Sequence, residues 1–257
     1  DQSSSRGLGD VYKRQGYHGF KRNLTSSEII SQLWIANYYE DASERVSNVV
    51  FMGMGEPLMN TTNVLKTINI MKDQKCYSLS KRRITLSTSG IVPEIEAITG
   101  KTDVSLAISL HASNDDLRNE IVPINKKYPI KDLLLSSKNY LKSLNSKSYI
   151  TIEYILIDKV NDSIKDASNL VSLLSDLKCK INLIPFNPFP GSEYKRSKHQ
   201  NIESFKNHLI KNNFIATVRT TRGDEIDGAC GQLVGKLINP IGSKKLKKEQ
   251  ISARNLH

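Results

Sequence analysis

Ile150-Thr151-Ile152-Glu153-Tyr154-Ile155-Leu156-Ile157 is rich in β-branched and aromatic side chains, and such a run predicts a strand. An amphipathic segment from about Ile164 to Leu177 predicts a helix after it, and Ile181 to Pro185 predicts another strand. Strand, helix and strand in that order make a βαβ unit, whose two strands must run parallel. The same alternation extends outward in both directions. Asn48 to Met52, Ile84 to Ser87, Val104 to Leu110 and Ile215 to Arg219 read as strands. Thr61 to Lys72 reads as a helix with Val64, Ile68 and Met71 on one face, and Phe205 to Ile210 falls inside another. Near-continuous Val/Ile/Leu strands, each followed by a helix, predict an α/β protein with a parallel sheet covered by helices. Six such strands without a glycine-rich dinucleotide fingerprint favour an incomplete (β/α) barrel over a doubly wound sheet. Upstream, Thr25-Ser26-Ser27-Glu28 fits a capping box, with Ile29, Ile30, Leu33 and Trp34 as the apolar stripe of the helix it opens.

Four polar or glycine-rich loops sit at the downstream ends of these runs, where a parallel barrel keeps its active site. They are Gly53-Met54-Gly55-Glu56-Pro57-Leu58, Leu86-Ser87-Thr88-Ser89-Gly90, Ser109-Leu110-His111-Ala112 and Ile184-Pro185-Phe186-Asn187-Pro188-Phe189-Pro190-Gly191. A fifth segment follows the last strand, where Gly228-Ala229-Cys230-Gly231-Gln232-Leu233 places a cysteine among small residues. Small neighbours leave a thiol accessible, which a reactive cysteine requires. Each residue alone also has a plain structural reading: Cys230 as a small buried hydrophobe, His111 as a satisfied core histidine, Glu56 in a salt bridge, Ser87 or Asn187 capping a turn.

A length of 257 residues provides for one good-sized core. A hydrophobic content of 38% and a charged content of 25% are those of a soluble globular protein, and no apolar run approaches a membrane span or a secretory signal. These features place the chain in the cytoplasm. The formal charge of +11 favours a polyanionic partner. Part of it is clustered, at Lys81-Arg82-Arg83, Lys126-Lys127, Lys195-Arg196 with Lys198, and Lys244-Lys245 with Lys247-Lys248. The last run reads as a basic tail, over 239–257. Cys76, Cys179 and Cys230 have neither metal-ligand spacing nor a disulfide framework, so no metal ligands are assigned.

In order along the chain, Gly16-Tyr17-His18-Gly19-Phe20-Lys21-Arg22-Asn23-Leu24 and the five loops resemble the radical S-adenosylmethionine (SAM) adenine-C2 RNA methyltransferases of the RlmN type, which modify 23S rRNA and certain tRNAs. Adenine-C8 methyltransferases of the same superfamily are the alternative, and a noncatalytic RNA-binding module or an ordinary SAM methylase are more distant ones. The resemblance implies that Cys230 carries a methyl group taken from one SAM, and that a radical generated from a second SAM at a [4Fe-4S] cluster activates it for addition to C2 of adenine. Release then needs a second thiol, through a disulfide, and the cluster needs an electron donor. Cofactor contacts are implied for Gly55 and Glu56 at the methionyl group, for Ser87, for Ser109, Leu110 and His111, and for Asn187. The partners implied are 23S rRNA and tRNA, the enzyme being a monomer with no membrane attachment.

The family's cluster motif, Cys-x-x-x-Cys-x-x-Cys, is absent from the sequence. It would run directly into Gly16, with its last cysteine near the position of Lys13. Residues 1–15 are Ser/Gly/charge-rich and read as a non-native or disordered leader. The expectation is therefore a partial barrel over 16–238, lacking the first strand and cluster loop and inactive in radical chemistry as written.

Overall fold

The computed structural model describes residues 22–38, 45–53, 55–145, 147–188 and 192–219. Cys230, the leader at 1–15 and the basic tail lie outside them.

Six strands form one parallel sheet in the order of the sequence, open rather than closed into a barrel. They are β1 (Val49–Phe51), β2 (Ile84–Thr88), β3 (Ser105–Ser109), β4 (Ile150–Leu156), β5 (Cys179–Pro185) and β6 (Ile215–Val218), with α1 (Ser26–Tyr38) ahead of the first. The connections carry α2 (Thr61–Lys72), α3 (Val92–Ile98), α4 (Asp115–Ile121) with α5 (Ile130–Ser143), α6 (Ile164–Leu174) and α7 (His199–Lys211). A sheet wound strictly in sequence order returns every crossover to the same side, so the helices cover one face.

The strand sequences specify that face. Successive side chains of a strand point to opposite sides. Ile84 and Leu86, Leu106 and Ile108, Ile152 and Tyr154, and Ile181 and Leu183 are all fully buried in a single core with Ile68, Ile95, Leu133, Leu170 and Phe205 of the helices. The alternate positions are Thr85 and Ser87, Ser105, Ala107 and Ser109, Thr151, Glu153 and Ile155, Lys180, Asn182 and Ile184, and Ile215 and Thr217. The sheet is thus not a doubly covered apolar slab. One face is apolar and packed under helices; the other is mostly polar. A second, smaller core of Ala112, Ile121, Val122, Ile155, Ile157 and Phe186 lies around the downstream ends of β3, β4 and β5.

The predicted capping box forms at α1. Glu28 N–H donates to Thr25 Oγ1 at 3.2 Å, and Thr25 N–H donates to a Glu28 carboxylate oxygen at 2.9 Å. Of the predicted stripe, Leu33 is buried and Ile29 and Ile30 pack partly against the core. Trp34 does not: it is 53% exposed. The predicted helix ending near Leu177 stops at Leu174, and Leu177 still packs into the core from the turn that follows.

Candidate functional site

The predicted loops gather at the downstream ends of β1 to β5. After β1, Gly55 adopts φ +89°, a conformation open to glycine at little cost, and the chain turns into a short 3-10 segment at Pro57–Asn60. Glu56 caps that segment: Leu58 N–H donates to Oε1 at 3.0 Å. Its other oxygen accepts from the N–H and the hydroxyl of Ser89, both at 2.8 Å, so the β1 loop is tied to the β2 loop. Burial pushes the Glu56 carboxyl above its ordinary pKa, while the hydrogen bonds from Ser89 and Leu58 pull against it. The salt-bridge reading of Glu56 is replaced by a hydrogen-bonded clamp between the two loops.

Sheet register builds the next layer. Ser109 of β3 is paired with Glu153 of β4, Glu153 with Asn182 of β5, and Asn182 with Thr217 of β6. Paired residues of a parallel sheet project to the same side, which lines up a polar row across the uncovered face. Glu153 is its centre. Its Oε2 lies 3.4 Å from Ser87 Oγ and 3.5 Å from Ser109 Oγ, and the residue is 4% exposed. Hydroxyl–carboxylate bonds ordinarily close to about 2.7 Å. These are long. Two of the predicted residues, Ser87 and Ser109, thus meet on a carboxylate that the sequence reading did not single out. Its signal was present, as a charged residue in the middle of a β-branched strand.

Ser109-Leu110-His111 leaves β3 in a strained turn. His111 has φ +62°, a left-handed conformation that costs a non-glycine residue about 1–2 kcal/mol. Three bonds hold it there. The His111 and Leu110 N–H groups both donate to the Glu153 carbonyl, at 3.2 and 3.0 Å, and Ile155 N–H donates to His111 Nδ1 at 3.2 Å. Because Nδ1 accepts, the neutral ring carries its proton on Nε2. Buried Asn161 completes the arrangement: Nδ2 donates to the carbonyls of His111 (2.9 Å) and Ile155 (2.8 Å), and Oδ1 accepts from Ile157 N–H at 2.8 Å. His111 is a satisfied histidine and, at the same time, a strained one at the mouth of the sheet.

Asn187 follows β5 and is half-buried. Cys230 falls outside the described residues. Cys179 opens β5 and is buried, its thiol pushed up to about 12 by desolvation. Cys76 is exposed, in the turn after α2. Both are free thiols, and among the described residues no cluster of His, Cys, Asp or Glu could hold a metal ion. The polar row and the Glu56 loop fit a ligand with ammonium and hydroxyl groups, as SAM has. The described residues do not provide for an iron-sulfur cluster.

Basic residues border the same end of the sheet. Ile157, just past β4, forms an antiparallel bridge with Arg196, and Asp158 N–H donates to the Lys195 carbonyl at 3.0 Å. Asp162 accepts from Lys159 N–H, Asn201 Nδ2 and Ser197 Oγ, fastening the two segments together. Lys159, Lys195, Arg196 and Lys198 are all exposed on them.

Comparison with known proteins agrees with the fold. Residues 19–171 match the model of the radical SAM superfamily. The dual-specificity RNA methyltransferase RlmN of Psychrobacter arcticus is 50% identical over 238 residues, covering 86% of this chain and 58% of that protein. RlmN of Marinobacter nauticus is 52% identical over 226 residues, covering 86% and 61%. This chain thus spans about three fifths of the length of these curated relatives. The crystal structure of a radical SAM methyltransferase from Sphaerobacter thermophilus superimposes with a TM-score of 0.83 at 39% identity, covering 88% of this chain and 66% of that one. With this match over more than half its length, and with its open parallel sheet, the chain belongs to the radical SAM superfamily.

Proposed function

We propose that this chain is the catalytic sheet of an RNA methyltransferase acting on C2 of adenine in 23S rRNA and tRNA, with SAM bound at the downstream ends of β1 to β5. The observation that carries the reading is the convergence of Glu56, Ser87, Ser109 and His111, each from a different loop or strand position, on that one end of the sheet. SAM supplies an electrophilic methyl group when bound. Glu56 receives its ammonium, Ser87 and Ser109 with Glu153 face its hydroxyls, His111 and Asn187 flank it, and the Cys230 thiolate is the nucleophile for the methyl. The turn bearing Lys159, Lys195, Arg196 and Lys198 receives RNA phosphates. Among the described residues there is no ligand set for an iron-sulfur cluster.

Calorimetric titration of the chain with SAM tests the cofactor half. Glu56 has a raised pKa, and an ammonium ligand prefers the ionised carboxylate, so binding should be strongest above that pKa and weaken as pH falls through it. Glu56→Gln should abolish this pH dependence. Retention of the full pH dependence in that variant would remove Glu56 from the site. For the RNA half, Lys195→Glu with Arg196→Glu should lower the slope of log affinity against log salt by about one per lost phosphate contact in filter binding. Unchanged slopes would move the RNA surface elsewhere.

A further inference from the structure

Arg118, on α4, is fully buried, and its side chain is spent on the backbone of two site loops. Nη2 donates to the Ser89 carbonyl at 2.7 Å, after β2, and to the Ser109 carbonyl at 3.1 Å, at the end of β3. Nε donates to the Leu110 carbonyl at 3.1 Å. Ser89 is the residue that binds Glu56, and Ser109-Leu110 begins the turn that presents His111. One guanidinium therefore links the Glu56 clamp, the Ser87 strand end and the His111 turn.

The guanidinium is itself aimed. Nη1 donates to Asn125 Oδ1 at 2.7 Å, and the Asn125 amide can turn only that oxygen toward it, because Nδ2 donates to the Asp115 and Asn119 side chains, each at 2.8 Å. Gly90 makes room on the other side. It has φ +109°, and a Cβ there would lie 3.3 Å from Nη2 and 3.0 Å from both methyl carbons of Leu133. A planar fork with donors along two edges can reach carbonyls in two loops at once; a lysine ammonium, a single point on a flexible stem, cannot hold both in fixed relation. Burying an arginine is costly, and a site that needed only filling would be served by an apolar side chain.

We propose that Arg118 is a positioning residue for SAM: it fixes the spacing between the Ser87–Gly90 and Ser109–His111 loops so that both meet the ligand together. The proposal rests on the cofactor reading above, and its two arms separate the one from the other. In the ligand-free full chain, hydrogen exchange of Arg118→Ala should quicken in both loops together and stay unchanged in α7 and β6. Its SAM affinity should fall by about ten- to a hundredfold, the equivalent of one charge-assisted hydrogen bond. Ethylguanidinium should restore much of that affinity in Arg118→Ala. Arg118→Lys, the milder variant should the alanine fail to fold, should keep one loop protected and lose the other. Exchange that rises uniformly, or not at all, in these variants would overturn the proposal, as would affinity that tracks only the unfolded fraction and does not recover with ethylguanidinium. A wild-type chain that binds no SAM would overturn the cofactor reading, and the exchange arm would then decide by itself whether Arg118 couples the loops.

Discussion

Replacing Asn161 tests whether the strained His111 turn is held by the β4 loop. Asn161 is fully buried, and its side chain makes three hydrogen bonds of 2.8 to 2.9 Å, two as donor and one as acceptor. Alanine leaves the Ile157 N–H without an acceptor and removes one donor each from the His111 and Ile155 carbonyls. At about 1 kcal/mol net per hydrogen bond, with a further 1–2 for a buried N–H left unmade, Asn161→Ala should cost about 4 to 5 kcal/mol. That is a large part of the roughly 5–15 kcal/mol by which domains are stable. The Tyr154 hydroxyl, which donates to the Asn161 backbone carbonyl at 3.1 Å, keeps its partner and serves as an internal control through Tyr154→Phe.

Aspartate at the same position separates hydrogen bonding from shape. One carboxylate oxygen can still accept from Ile157 N–H, but the other then faces the two carbonyls that the amide had served. Ionised, it repels both; protonated, it donates to one. The introduced carboxyl therefore has a folded-state pKa raised above its unfolded value of about 3.9. A raised pKa means that the variant is most stable, relative to wild type, below the unfolded value, and that this advantage is lost as pH rises through the folded value. Urea denaturation followed by far-ultraviolet circular dichroism, at several pH values, measures both effects. Asn161→Ala within about 0.5 kcal/mol of wild type, or a pH-independent deficit in Asn161→Asp, would refute the reasoning that this side chain clamps the turn.

Gly90→Ala should destabilise by about 1–3 kcal/mol, since it combines a left-handed φ with a Cβ 3.0 Å from Leu133 and 3.3 Å from the Arg118 guanidinium; a urea midpoint equal to wild type would show that the loop adapts freely. Alkylation of the native chain with iodoacetamide near pH 8, read by peptide mass spectrometry, should modify exposed Cys76 and spare buried Cys179, whose thiol is pushed up to about 12; equal labelling of the two would contradict the packing at the start of β5.

The fold was legible where strand and helix periods are strong. All six strands lie within a residue or two of where β-branched runs predict them, and Thr61–Lys72 coincides with the predicted helix. Three helices gave weaker signals. Seven-residue α4 is built mostly of charged and amide side chains and reads as solvated surface, and α3 is equally short with a proline in its first turn. In α5 the stripe of Ile130, Leu133, Leu134 and Tyr140 is interrupted by buried Ser136 and Ser137, whose hydroxyls donate back to the Leu133 carbonyl and so satisfy themselves inside the helix. Apolar counting cannot find serines that a helix buries in this way.

The polar face is the more instructive case, because its signal was in the strands and was outweighed by their apolar content. Thr151 and Glu153 alternate with Ile150, Ile152 and Tyr154 in β4, as Lys180 and Asn182 alternate with Cys179, Ile181 and Leu183 in β5. A sheet covered on both faces has no use for that alternation, whereas a sheet with one uncovered face shows it. Arg118 and Asn161 had no comparable signal, since neither acts through its place in a pattern. Each acts by reaching backbone carbonyls that only the folded chain brings within range, and a residue whose partners are carbonyls leaves no trace of them in the sequence.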